Sequence, residues 1–164
     1  MLWGGNQWRG ENEWPLARTQ FTKYYLHSDG RANSRDGTGT ISTTPPGSEP
    51  PDRYVYDPAS PDPTVGGPDF GTPLSGHTAG AADQSPVEVR NDVLVYTTPP
   101  LGHGIEVTGP IEAVLYVSST AKDTGFTPKL VDVAPDGTAY NVQEGILRAR
   151  CREGFEKKVW MRPG

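Results

Sequence analysis

The sequence predicts an all-β fold, a β-sandwich or jelly roll with long Gly/Pro-rich loops. Three observations predict it. Short runs rich in Val, Tyr, Ile and Thr recur along the 164 residues, as strands require. The 20 glycines and 17 prolines cluster between those runs and do not spread evenly, which reads as strands joined by loops. Helix-length apolar periodicity is nearly absent.

The elements follow in order. Residues 1–20 form an irregular entry segment containing Trp3, Trp8 and Trp14. Residues 22–27 read as a first strand, closed by Ser28-Asp29-Gly30. Residues 39–43 give a short second strand, ended by Thr44-Pro45-Pro46, and residues 53–56 a third, ended by Asp57-Pro58. Residues 57–86 carry Pro58, Pro61, Pro63, Pro68, Pro73 and Pro86 and read as one long loop, with an interdomain linker as the alternative. Residues 92–98 make a strand ending in Thr97-Thr98-Pro99-Pro100, and 104–108 a short one. The near-continuous apolar run 111–119 predicts a strand buried on both faces. Residues 126–133 and 139–142 flank Pro135-Asp136-Gly137, the signature of a tight hairpin turn. Residues 146–152 predict a last strand, with Ile146, Arg148, Arg150 and Arg152 on one face and Leu147, Ala149 and Cys151 on the inner one. Thr-Thr-Pro-Pro occurs at 43–46 and 97–100, but its neighbours differ, so similar strand exits explain it better than duplication.

Composition narrows the function. The net charge is −5 and the pI about 5.1, so nucleic acid is excluded as a partner. Arg148, Arg150, Arg152, Lys157 and Lys158 alternate with other residues and sit beside Glu153 and Glu156, as on a solvated strand face. One cysteine, Cys151, allows no internal disulfide and fits a small core residue. No apolar run is long enough to span a membrane, and no signal core opens the chain. The expected compartment is the cytoplasm, with no membrane association.

Chemistry is sparse. A Gly-x-Ser-x-Gly elbow, which pushes a serine hydroxyl outward from a strained turn, does not occur. His27, His77 and His103 lack metal-ligand spacing and read as loop or strand-end residues. Asp29, Asp36, Asp62, Asp69 and Asp83 fit turns better than a calcium loop. Gly37-Thr38-Gly39 precedes no helix, so it is a weak phosphate cradle. The entry tryptophans suit packing on a neighbour, or stacking on sugar rings as in a carbohydrate-binding β-sandwich module.

Specific strings then become informative. Trp8-Arg9 with Trp14-Pro15, Tyr25-Leu26, Gly37-x-Gly39-Thr40-Ile41-Ser42, Tyr56-Asp57-Pro58-Ala59 with Gly66-Gly67, Asp83-Gln84, and Asp92-Val93-Leu94-Val95-Tyr96 occur in consistent order. So do Val107-Thr108-Gly109, Val117-Ser118-Ser119, Asp123-Thr124-x-Phe126-Thr127-x-Lys129-Leu130-Val131-Asp132-Val133, and Glu144-Gly145-Ile146-x-Arg148-x-Arg150. Together they resemble the C-terminal domain of the X-Pro dipeptidyl-peptidase and cocaine esterase family of serine hydrolases. The resemblance implies that residues 1–164 are part of a jelly-roll β-sandwich, galactose-binding-domain-like, incomplete and truncated at both ends. It implies an α/β-hydrolase domain of the same parent chain as partner, holding the Ser-His-Asp triad, so no catalytic residue is carried over. In the full-length enzyme the substrate is then an acyl ester or a peptide, cleaved by dipeptidyl-peptidase, esterase or amidase activity. No cofactor or metal is implied, and homo-oligomers remain open. The β-domain helps wall the active-site cleft, and the loop after Gly66-Gly67 makes Phe70 and Leu74 candidates for pocket lining.

Overall fold

The computed structural model describes residue 5, residues 7–68 and residues 79–164. Among them the regular structure is nearly all strand, with one four-residue helix and one 3-10 turn. The strands pair as three separate two-stranded antiparallel sheets. No helix among the described residues is long and apolar enough to cross a membrane. The chain divides into two units, Met1–Val65 with Asp83–Pro110, and Gly66–Ala82 with Ile111–Gly164.

In the first unit, β1 (Tyr25–His27) pairs with β2 (Thr40–Ser42), with Leu26 opposite Ile41. The expected first strand thus forms only over its last three residues. Residues 93–97 run beside this hairpin. Ser34 N–H donates to Val93 O (2.8 Å), Val95 N–H to Ala32 O (2.8 Å) and Thr97 N–H to Gly39 O (3.3 Å). The predicted strand 92–98 is therefore reduced to bridges at Leu94 and Thr97. The approach is close enough that a Cβ on Gly39 would sit 2.0 Å from Val95 O. The short helix α1 (Ser85–Glu88) begins where Asp83 Oδ1 accepts the N–H and hydroxyl of Ser85, with Pro86 in its first turn. Leu16, Ala32, Val87 and Gln84 are buried here.

Residues 53–56 and 104–108 form no strand. Arg53 O is taken by the side-chain amide of Asn33 (2.8 Å), and Thr108 O by the Thr19 hydroxyl (3.0 Å). These carbonyls satisfy themselves on side chains, so no ladder forms.

In the second unit, β4 (Lys129–Val133) and β5 (Ala139–Glu144) make the predicted hairpin, with a register shift between Leu130 and Val131. Gly137 N–H closes the turn on Ala134 O at 2.8 Å. β3 (Gly125–Phe126) pairs with β6 (Leu147–Arg148). The expected strand 126–133 is broken at Pro128, which has no N–H for a ladder.

Two further expectations are overturned. The run 111–119 is not a buried strand. It pairs with nothing among the described strands, and Ile111, Val114 and Tyr116 are 54%, 67% and 99% exposed. An apolar run becomes a buried strand only where other elements cover it, and among the described residues Ile111, Val114 and Tyr116 keep more than half of their surface exposed. The predicted strand 146–152 stops at Arg148 and turns into a 3-10 helix at Ala149–Cys151. Strict alternation of faces is lost there, although Ala149 is buried as expected.

Candidate functional site

The loop that the sequence singles out leaves and returns at one built root. Gly67 and Gly80 exchange reciprocal N–H···O bonds of 2.8 Å each. Gly66 and Gly67 have φ of +70° and +105°, a region that favours glycine. At Gly66 space demands glycine as well, whereas at Gly67 the nearest atom is the movable end of a side chain. A Cβ on Gly66 would lie 2.5 Å from Gly80 O and 2.9 Å from Asn141 Oδ1, and one on Gly67 would lie 2.7 Å from Glu144 Oε1. Asn141, on β5 and only 6% exposed, accepts the Ala82 N–H on Oδ1 at 2.7 Å. Both arms of the root therefore lie against the same strand. Phe70 and Leu74, the predicted lining residues, lie outside the described residues, as does His77.

The second unit also carries an apolar hollow of about 470 Å³, lined by Leu115, Val117, Phe126, Leu147 and Met161, with Arg152 among its walls. Its frame is ionic. Asp123 accepts the Arg150 backbone N–H at 3.0 Å and the Arg150 guanidinium at 2.6 Å. Arg148 Nε lies 3.5 Å away. Burial acts to raise the Asp123 carboxyl, but these donors outweigh it and hold it below its ordinary value. Arg150 also stands 6.0 Å from the Trp160 ring centroid. The expected solvated basic face is thus corrected at Arg150, which is half-buried and tied to a carboxylate 27 residues away.

The histidines, which the sequence left without a task, divide. His103 is exposed. His27 Nδ1 lies 2.8 Å from Glu49 Oε1, and Nε2 lies 3.0 Å from Thr44 O and 3.2 Å from Ser42 Oγ. A Ser–His–carboxylate array of this kind invites a catalytic reading, but the geometry opposes it. Serine activation needs a free Nε2 lone pair aimed at the hydroxyl, whereas the Thr44 carbonyl calls for an N–H on that nitrogen. Ser42 also sits within β2, not on a strained elbow, and its Oγ faces the Thr44 N–H at 3.2 Å. The His27 contact instead lowers the Glu49 carboxyl and fastens residues 44–49 to the β1–β2 hairpin. Sequence reasoning missed Glu49, which lies 22 positions after His27 and beyond Pro45 and Pro46.

Asp52 is the second polar node of the first unit. It accepts the Ser28 hydroxyl (2.7 Å), the Tyr96 hydroxyl (2.7 Å) and the Ala32 N–H (2.8 Å). Burial, and then the Asp52 contact, push the Tyr96 phenol well above its ordinary value. The loop carboxylates serve the backbone and local pairs: Asp29 meets Arg31 and Thr38, and Asp83 meets Ser85. Among the described residues no three His, Cys, Asp or Glu side chains gather to hold a metal ion.

The family described as the X-Pro dipeptidyl-peptidase C-terminal non-catalytic domain matches residues 1–164. The cocaine esterase of Rhodococcus sp. (strain MB1 Bresler) is 49% identical over 152 residues, which are 92% of this chain and 26% of that protein. Proteins named as serine esterases in Mycobacterium bovis and Mycobacterium tuberculosis are each 31% identical over 144 residues, 88% of this chain and 21% of theirs. The chain therefore spans about a quarter or less of the length of these relatives.

Proposed function

The chain belongs to the X-Pro dipeptidyl-peptidase C-terminal non-catalytic domain family, and from that premise we propose that it is the β-rich companion of an α/β-hydrolase-type serine hydrolase. Its finer architecture is a galactose-binding-like jelly roll, and its role is to help wall the active-site cleft. The parent enzyme acts on an acyl ester or a peptide by an acyl-enzyme route. One observation carries this reading: the family match covers every residue, while the sequence contains no nucleophile elbow. The exposed side chains of Ile111, Val114 and Tyr116 support it, because an apolar surface of that kind marks a place where another body docks.

The test uses the purified 164-residue chain with p-nitrophenyl acetate and an X-Pro p-nitroanilide. No turnover above buffer is expected, and Ser42→Ala changes nothing. Turnover abolished by a serine-directed inhibitor would overturn the reading. A carbohydrate-binding role is the second reading, supported by the exposed rings of Trp8 and Trp14. Calorimetry against a glycan panel decides it, since tight binding lost in Trp8→Ala would favour sugars.

A further inference from the structure

We propose that the hollow between residues 53–55 and 91–92 of the first unit is a binding site for a neutral polyhydroxyl ligand, a single sugar or polyol unit. The proposal depends neither on the companion reading above nor on Trp8 and Trp14; other residues carry it.

The hollow measures about 420 Å³ and is lined by Asn33, Arg53, Tyr54, Val55, Asn91 and Asp92. That volume lies in the range of small-molecule sites. The fold fixes its walls. The Asn33 side-chain amide donates to Arg53 O and to Asn91 O, at 2.8 Å each, and so ties the two walls together. Both of its N–H groups are then used, and its Oδ1 accepts nothing from the described residues. The wall beyond Asn91 is held where Ser34 N–H donates to Val93 O at 2.8 Å. Arg90 donates from Nε and a terminal nitrogen to the two oxygens of Asp92, at 2.8 and 2.6 Å. This fork sets the plane of the carboxylate and leaves each oxygen a second lone pair.

Three more polar groups of the lining have no partner among the described residues: the Arg53 guanidinium, the Asn91 side-chain amide and the Tyr54 hydroxyl. Burial, and then the Asp92 charge, push the Tyr54 phenol up, so the hydroxyl keeps its proton and can donate it.

The chemistry of the walls selects the ligand. Arg53 and Asp92 bring opposite charges to one hollow. A carboxylate drawn to Arg53 would face Asp92, and an ammonium drawn to Asp92 would face Arg53, so either pays a like-charge penalty. A hydroxyl donates and accepts at once. Neighbouring hydroxyls therefore match Arg53 and Asn91 as donors and Asn33 Oδ1 and Asp92 as acceptors, and they add no charge. Tyr54 is 39% exposed, which leaves part of its ring open to the C–H face of a sugar. The Asn33 and Asp92 acceptors are in place before the ligand arrives, which lowers the cost of ordering the site.

The experiment uses the full-length protein that contains these residues, with methyl α-D-glucopyranoside and methyl β-D-galactopyranoside as probes. Dissociation constants are read by saturation-transfer NMR titration. At least one probe is expected to bind. Arg53→Ala is expected to weaken binding by about tenfold or more, because a charged donor makes the stronger hydrogen bonds, and Asn91→Ala by about fivefold. Neither side chain bonds another described residue, so the melting curves of both variants should match the wild type. Trp8→Ala should leave Kd within about twofold. No binding of either probe overturns the proposal, as does binding that both hollow variants leave unchanged. Binding lost in Trp8→Ala alone would move the sugar site to the entry segment and overturn this one. Sodium acetate held more tightly than either sugar, with that affinity lost in Arg53→Ala, would overturn the ligand class.

Discussion

Replacing Gly39 with Ala tests whether the family string Gly-x-Gly-Thr-Ile-Ser exists for close backbone approach. A Cβ at Gly39 would lie 2.0 Å from Val95 O, 2.9 Å from Ala32 Cβ and 3.0 Å from Val95 C. Ordinary contact begins near 3.5 Å, so the closest of these is roughly 1.5 Å too short. None of the three atoms is the end of a flexible side chain, and Ala32 is fully buried, so backbone must move. That movement overpacks the site, at about 2 kcal/mol. It also stretches the Thr97–Gly39 and Val95–Ala32 hydrogen bonds, each contributing about 1 kcal/mol. The lower unfolded-state entropy of Ala returns about 0.7 kcal/mol. The net expectation is a loss of about 3 kcal/mol, a drop of about 1–3 M in the urea midpoint. Gly47→Ala is the control, since nothing lies within 4 Å of its Cβ position; it should stay within about 0.5 kcal/mol. Both variants are measured in one background by urea unfolding followed by tyrosine fluorescence. Coincident midpoints for the two would refute the steric account.

Three further outcomes are expected. Gln84→Ala, which leaves Val65 O without the 2.9 Å amide donor, should cost about 2 kcal/mol and lower the melting temperature by roughly 4–8 °C. Glu106 is held down to about 2 chiefly by the Arg9 guanidinium, and Asp29 to about 2 chiefly by Arg31. A depressed folded value means their stabilisation is complete above the unfolded range near pH 4 and is lost as pH falls towards 2. The melting temperature should be level from pH 7 to about 5 and fall below about 4.5, with a shallower fall in Glu106→Gln and in 1 M NaCl; a rise on acidification would contradict the pairing. Tyr116→Ser, at a side chain 99% exposed, should leave the isolated chain's stability within about 0.5 kcal/mol while reducing its binding of a hydrophobic dye.

What was legible in the sequence was local. The hairpin around Pro135-Asp136-Gly137 is set by residues within a few positions of one another, and β4 and β5 form where the pattern placed them. The strand ending at His27 and the one spanning Thr40–Ser42 are also marked by their own flanking turns. What was not legible depends on partners far along the chain. Residues 146–152 alternate well enough for a strand, yet Asp123 captures both the N–H and the guanidinium of Arg150, and the backbone turns after Arg148. Gly37 and Gly39 read as a weak phosphate cradle, whereas the reason for glycine at 39 is Val95, 56 positions later in the numbering. The root at Gly66-Gly67 was marked by its glycines, but its anchor Asn141 lies beyond any local pattern. The predicted lining residues Phe70 and Leu74 lie outside the described residues, so the root is the part of that prediction with a geometry.

The failure at 111–119 is the most informative, because the physics behind the expectation was sound. Among the described residues of the second unit the buried hydrophobic ones are Ala139 and Ala149, both small, while Ile111, Val114, Tyr116 and Ile146 stand exposed. Burying one large apolar side chain contributes about 1.5–3 kcal/mol. At their exposures of 54%, 67%, 99% and 73% the four therefore represent roughly 4–9 kcal/mol of stabilisation not yet realised. That is comparable to the entire stability of an ordinary domain, about 5–15 kcal/mol. A sequence that places Ile, Val, Leu and Tyr in one run has matched them to a cover, and the described residues do not supply it. If the cover is the catalytic body proposed above, the sign of a mutation depends on context. Tyr116→Ser should be nearly silent in the isolated chain and destabilising in the full-length enzyme. A variant equally silent in both would show that the run stays bare in the assembled protein, and that the companion role needs a different surface.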